Sequence, residues 1–308
     1  MTESRHSNEL RVWSMTNLGD LYRQNGRYRE AETLLRQALA LAEQVFGSND
    51  ANVSVILNNL AVLYKCIGEF DEAERLYKRA LAMIESQPEV DDEKVATLYH
   101  NLGGLEHARY RYAKGEPLAR RAVQFRERAL GPNHVDVAAD LAALAAILDG
   151  QGMHDESEPL YRRALSIFER TYGAEHYEIA VNLNNLAAAA AARGRTGEAE
   201  QLYQRALQLK EKLLGPEHPD VAITLNNLAA LHLSQARFTQ AATMYGRALL
   251  IFEKVFGPAD PRVVHAERMA AMCVRKSNDS RTQWPRAERI DAVGLRRSAP
   301  HRGKSSAQ

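Results

Sequence analysis

Apolar residues along this chain recur at i, i+3, i+4 and i+7 in two stretches separated by a short break, and the whole pattern then starts again. In "TLNNLAALHLSQARFTQAATMYGRALLIFEKVFGPADP" (224–261) the first stretch predicts a helix and the break a turn; the second predicts another helix, stopped by a Gly-Pro loop. Two adjacent asparagines, Asn226 and Asn227, sit in the middle of the first helix, where their amides compete with the backbone for hydrogen bonds. The same pair stands at Asn58-Asn59 and Asn184-Asn185.

Aligned on the Leu after the second Asn, the chain gives Leu18, Leu60, Leu102, Leu144, Leu186 and Leu228, six copies at a constant spacing of 42. Ala38, Ala80, Ala122, Ala164, Ala206 and Ala248 share a second column, and Tyr77, Tyr161, Tyr203 and Tyr245 a third, expected in the core. Gly26, Gly68, Gly152 and Gly194 fall in the break, where a helix ends in a left-handed residue. Gly131-Pro132, Gly215-Pro216 and Gly257-Pro258 mark the stop of the second helix. The column Asp50, Asp92, His134, His176, His218 and Asp260 precedes each following helix, with Pro219 and Pro261 next to its last two members, an N-cap signature. Repeated histidines raise the question of a metal. Asp in the same column fits capping, and helix spacing of roughly 8–10 Å is too wide for Zn–N bonds of about 2 Å, so neither metal nor cofactor is expected.

These columns resemble the tetratricopeptide repeat (TPR), in the 42-residue form of kinesin light chains and related bacterial arrays. Its first-helix signature appears as Leu18-Gly19 with Tyr22 and Leu60-Ala61 with Tyr64; the small residue opening the second helix appears as Ala31, Ala73, Ala199 and Ala241. The resemblance implies an all-α fold, a right-handed α-solenoid of six helix hairpins plus a C-terminal capping helix. The expected organisation is an N-terminal tail at 1–8 and an array over 9–276, followed by a basic disordered tail at 277–308. The copies divide at 9–50, 51–92, 93–134, 135–176, 177–218 and 219–260, with the cap at 261–276. Copy three departs from the pattern at Glu106, Gly115 and Pro117, and copy four at Ala142, Ala143 and Pro159. These two copies are expected to be softer.

In TPR arrays the first helices line a concave groove, and at 100° per residue both asparagines of a pair point away from the core side formed by Leu225, Leu228, Ala229, Leu231 and His232. The resemblance therefore favours peptide contact for Asn17, Asn59, Asn101, Asn185 and Asn227, as kinesin light chains and chaperone-clamp TPRs use an Asn at this position, over bonding to the neighbouring helix that only sets repeat stacking. For the column Asn58, Asn184 and Asn226 two readings stay open, peptide contact or bonding to the neighbouring helix. A carboxamide offers an acceptor and two donors, the complement of a peptide main chain. Small neighbours, Gly104, Ala146, Ala188 and Ala230, leave room for ligand side chains. Arg23, Lys65, His100 and His107 make the early groove basic, suited to acidic residues in the ligand.

Composition changes little in this picture. The 308 residues are 45% hydrophobic and 26% charged, the balance of a folded soluble protein without a membrane span or signal peptide, which suggests a cytoplasmic location. Cys66 and Cys273 are too few and too far apart for a disulfide framework. Residues 275–308 hold nine Lys or Arg against three Asp or Glu, so the tail is basic and the array mildly acidic. No phosphate-binding loop, paired-His metal helix or nucleophile motif is present, so an enzyme is not expected. The function expected is a protein-interaction scaffold or adaptor that binds an extended peptide. Two alternatives are a regulatory protein whose basic tail, with Trp284, binds nucleic acid or acidic membrane, and a substrate adaptor for a separate enzyme.

Overall fold

The computed structural model describes residues 2–279. The expected disorder of the tail, and Trp284 within it, lies outside them, except that 277–279 belong to the last helix. Thirteen α-helices and no strands occur among the described residues, the all-α solenoid class. The chain forms two compact units, divided between Thr171 and Tyr172. The first holds four hairpins: α1 (Thr2–Gln24) with α2 (Tyr28–Phe46), α3 (Ala51–Cys66) with α4 (Phe70–Glu85), α5 (Asp92–Ala108) with α6 (Tyr112–Leu130), and α7 (Val135–Gly150) with α8 (His154–Tyr172). The second holds α9 (Tyr177–Ala192) with α10 (Thr196–Leu214), α11 (Pro219–Ser234) with α12 (Phe238–Phe256), and the unpaired α13 (Pro261–Asp279). Residues 2–8, expected as a tail, are the first turns of α1, and α13 runs past 276.

Within each unit a second helix packs on the first helix of its own copy and of the next, and successive first helices touch. This is why the columns are apolar. Ala38, Ala80, Ala122, Ala164, Ala206 and Ala248 are at most 1% exposed, small enough to let neighbouring helices approach, and Tyr77, Tyr161, Tyr203 and Tyr245 are buried as expected. Leu60, Leu102, Leu144, Leu186 and Leu228 are at most 4% exposed, whereas Leu18 in the same column is 41% exposed. No described helix precedes α1 to cover it.

The predicted caps hold with one shift of register. Asp50 accepts from the Asn52 N–H at 2.8 Å, and Asp260 from the Arg262 N–H at 2.9 Å. His134, His176 and His218 each accept through Nδ1 from the backbone N–H two residues on, at 3.1–3.3 Å. In copy three the cap is Asp91, which accepts from the Lys94 N–H; Asp92 is the first helical residue and pairs with Arg128. Pro117 and Pro159 lie inside α6 and α8 at the sixth helical residue; the fourth, Gly115 or Ser157, already donates its N–H four residues back, so each proline forgoes one helical bond, and both helices continue through them.

Copy three's other departures are met in part, since Glu106 pairs through one oxygen while its Oε2 is buried without a hydrogen-bond partner among the described residues. A Cβ at Gly115 would stand 3.2 Å from the Gly103 carbonyl oxygen, so a close approach of α6 to α5 favours glycine over the usual alanine. Glu106, buried where other copies carry an aromatic or apolar residue, pairs with Arg109 at 3.3 Å, and Arg109 also reaches Glu74 and Asp71 of copy two.

The hairpin turn uses a left-handed residue throughout: Gly26, Gly68, Gly152 and Gly194 have φ of 73–84°, and Tyr110 and Ala236 occupy the same column at φ 58° and 57°. A bulky L-residue there carries a steric penalty of roughly 1–2 kcal/mol. Tyr110 is 81% exposed and loses little packing if removed. Tyr110→Gly is therefore expected to raise the stability of the chain by about 1 kcal/mol, read as a higher urea midpoint at unchanged slope.

Candidate binding groove

The face of the first helices that turns away from the core carries the asparagines, and the structure links them in two identical relays. In the first unit Asn101 Nδ2 donates to Asn58 Oδ1 at 2.8 Å, and Asn58 Nδ2 donates to Asn59 Oδ1 at 3.4 Å. In the second unit Asn227 Nδ2 donates to Asn184 Oδ1 at 3.2 Å, and Asn184 Nδ2 to Asn185 Oδ1 at 3.3 Å. Asn58 and Asn184 thus bond the neighbouring copy, the second of their two readings, while Asn101 and Asn227 spend one N–H on the same bond. Each relay crosses copies by 43 residues, one more than the repeat, because the second Asn of one copy meets the first Asn of the copy before it.

A relay of three carboxamides leaves groups over. Among the described residues no hydrogen bond is made by the Asn59 or Asn185 amide N–H groups, nor by the Asn101 or Asn227 oxygens. Each relay therefore holds its side chains in fixed rotamers and keeps one donor group and one acceptor in reserve. Asn17 is exposed and outside both relays. Asn226 is the exception: its Oδ1 is buried without a hydrogen-bond partner, because the residue 43 places on is Met269.

The basic residues divide. Lys65 is half-buried, its Nζ 3.5 Å from where a Cβ on Gly104 would be, and no carboxylate pairs with it among the described residues. Burial pushes its amine pKa down, and Arg23 adds to this against the opposing effect of Cys66. His107 is likewise held below its ordinary value, first by burial and then by the charge of Lys65. Arg23 stands in the same set but pairs with Asp20 at 2.8 Å.

His100 is placed elsewhere. Its Nδ1 lies 2.7 Å from Asp140 Oδ1, and the other oxygen of this buried carboxylate pairs with Arg126 Nε at 3.1 Å. Arg126 also donates to the Glu93 carbonyl and to Thr97 Oγ1. An isolated buried carboxylate is costly, and His100 and Arg126 satisfy it, so His100 joins the seam between copies three and four and is not an open basic group. Asp149 is similarly occupied, at 3.0 Å from His154 Nδ1 and accepting from Ser157 Oγ. Sequence reasoning missed Asp140 and Arg126. The signal was weak: Arg126 shares its column with Ala42, Ile84, Phe168 and Phe252 but also with Lys210, and the Asp140 column, Ser14, Ile56, Leu98, Asn182 and Thr224, mixes polar and apolar residues, so neither charge stands out in alignment.

The relay makes the two Asn pairs inequivalent in energy. Asn58→Ala removes a buried acceptor and strands the Asn101 donor, at an expected cost of about 1–2 kcal/mol, whereas Asn226→Ala removes an acceptor already unpaired and is expected to be neutral or mildly stabilising. Chemical unfolding of the two variants against the parent chain checks this; equal costs would contradict it.

The family description "Tetratricopeptide repeat" matches residues 10–86, 94–170, 141–212, 178–254 and 220–282. Among solved structures, BtubC (BKLC) from P. vanneervenii is 22% identical with a TM-score of 0.59, over 81% of this chain and 92% of that one. The apo form of RapI gives a TM-score of 0.60 at 12% identity, over 87% and 99%. A Signal Transduction ATPase with Numerous Domains (STAND) protein with a tetratricopeptide repeat sensor, from Pyrococcus horikoshii, gives 0.69 at 14% identity, over 93% of this chain and 41% of that one. At such identities the likeness is one of fold. A search of curated proteins finds no match. No described helix is long and apolar enough to cross a membrane. The chain belongs to the tetratricopeptide repeat family.

Proposed function

We propose that this protein, an interaction scaffold by its family, binds an extended segment of a partner protein along the first-helix face, and that the asparagine relays hold the partner's main chain. The observation that carries the reading is the reserve in each relay. Asn59 and Asn185 keep N–H donors, and Asn101 and Asn227 keep acceptors, after every contact between copies has been made. A peptide unit presents one C=O and one N–H, and the free groups of one relay include both complements, donor and acceptor. Because the copy-to-copy bonds fix the rotamers, little side-chain entropy is lost on binding. Copy four carries Ala142 and Ala143 in place of the pair and offers no such hold.

Lys65 supplies the selective element. It is a partly desolvated cation without an anionic partner, beside the small residue Gly104 and within the field of Arg23 and His107. A ligand Asp or Glu placed there would restore the charge balance that burial disturbs, and the association would weaken with added salt.

Display of random peptides against the full chain, followed by fluorescence polarisation of the selected sequences, tests the reading. Asn59→Ala leaves the bonds between copies in place and is expected to weaken selected peptides about tenfold. Lys65→Gln is expected to remove a preference for Asp or Glu among them. A failure to select any peptide, or unchanged affinity in the Asn59→Ala chain, would overturn the proposal.

A further inference from the structure

In the first unit a cavity of about 260 Å³ opens between α3, α5 and the end of α4. Val55, Ile84 and Leu98 give it apolar surface, and Ser54, Asn58 and Thr97 add short polar groups. Asp91, Glu93 and Lys94, at the start of α5, complete the lining. The charges there are paired, with one exception. Lys94 Nζ lies 2.9 Å from Asp91, and the adjacent Asp92 pairs with Arg128. Glu93 is exposed, and among the described residues no hydrogen bond or ion pair reaches its carboxylate; Arg126 takes only its main-chain carbonyl. The other copies carry Ala51, Val135, Tyr177, Pro219 and Pro261 in the Glu93 column, so this carboxylate belongs to one seam alone.

The next seam of the same unit shows what such a space accepts. There Arg126 stands in the Ile84 column, and the chain fills the equivalent position with its own cation. The Arg126 guanidinium bonds Thr97 Oγ1, from the Val55 column, and the buried carboxylate of Asp140, from the Leu98 column. Between copies two and three the shorter Ile84 leaves the space open, and the carboxylate stands at its mouth on Glu93.

We propose that the cavity between α3, α4 and α5 is a subsite for one cationic side chain, lysine or arginine, of a bound peptide. This rests on the reading of the first-helix face as a peptide site. The aliphatic stem lies against Val55, Ile84 and Leu98, and the charged head meets Glu93, as the stem and head of a long basic side chain favour different surroundings. The volume is below the ~300–1,000 Å³ of a pocket for a whole small molecule, so a single side chain is the unit that fits. Lys65 stands ten residues after Val55 on α3, about 15 Å along the helix at 1.5 Å per residue, and selects the opposite sign. The segment that satisfies both carries a basic residue toward the start of α3 and an acidic one toward its end.

The test titrates the full 15N-labelled chain with acetyl-Ala-Ala-Lys-Ala-Ala-amide, and with the same peptide carrying norleucine in place of lysine, and follows the backbone amides of Val55, Thr97 and Leu98. Norleucine keeps the stem and lacks the charge. Saturable shifts at these amides are expected, with the norleucine peptide about fivefold weaker at low salt and the difference closing as salt is added. The Glu93→Gln chain, altered at an exposed position, is expected to bind the two peptides equally. No saturable shift, equal binding of the two peptides by the unaltered chain, or a lysine preference that survives Glu93→Gln would overturn the subsite; the comparison of peptides does not depend on any variant folding. Failure here with display peptides still sensitive to Asn59→Ala would remove the subsite and leave the groove, whereas absence of any display peptide would remove the groove itself.

Discussion

A helix hairpin of this size has two apolar faces and can cover only one of them by itself. Everything else in the structure depends on the next copy covering the other. The leucine column shows the constraint directly: within the first unit Leu60, Leu102 and Leu144, and within the second Leu228, are buried where a helix of the preceding copy packs, and Leu18, which no described helix precedes, stands 41% exposed. Burial of this kind, at roughly 25 cal/mol per Å², is the term that stacking supplies and an isolated hairpin lacks. A constant 42-residue spacing follows, since one inserted residue would rotate a helix by about 100° and turn its covered stripe outward.

Stacking also buries polar groups, and these must find partners across the seam. The chain uses two kinds of solution. Where the asparagines are kept, one carboxamide bonds the next and the seam is neutral. Where copies three and four depart from the pattern, ions take over: Asp140 of copy four with Arg126 and His100 of copy three, and Arg109 of copy three with Glu74 and Asp71 of copy two. The neutral seams leave hydrogen-bonding capacity in reserve on the outer side, while the ionic seams consume theirs. That difference is why the groove reading concentrates on the two relays, and why His100 drops out of it.

Much of this was legible in the sequence. The period, the hairpin turns, the N-caps including three histidines, the buried tyrosines and the core side of α11 are all read from columns, because a column reports what all copies have in common. Contacts between copies are a different kind of information. The relay steps by 43 rather than 42, so the bonded partners belong to different columns, and alignment alone does not pair them. The two open readings of Asn58 and Asn184 could not be separated without that offset. Asp91 replacing Asp92 as a cap shows the same limit at a smaller scale: two adjacent aspartates satisfy the pattern equally, and local geometry chooses between them. Met269 became informative only once the relay showed what its position should have supplied.

The central claim is that equivalent asparagines carry fixed bonds between copies on one side and keep free groups on the other. Hydrogen exchange of the individual side-chain amide protons in the ligand-free chain tests it most directly. The account predicts one slowly exchanging proton on each of Asn101 and Asn227, against fast exchange of both protons on Asn59 and Asn185. Uniformly fast exchange at all four would show that the relays do not form, and uniform protection would show that nothing is held in reserve.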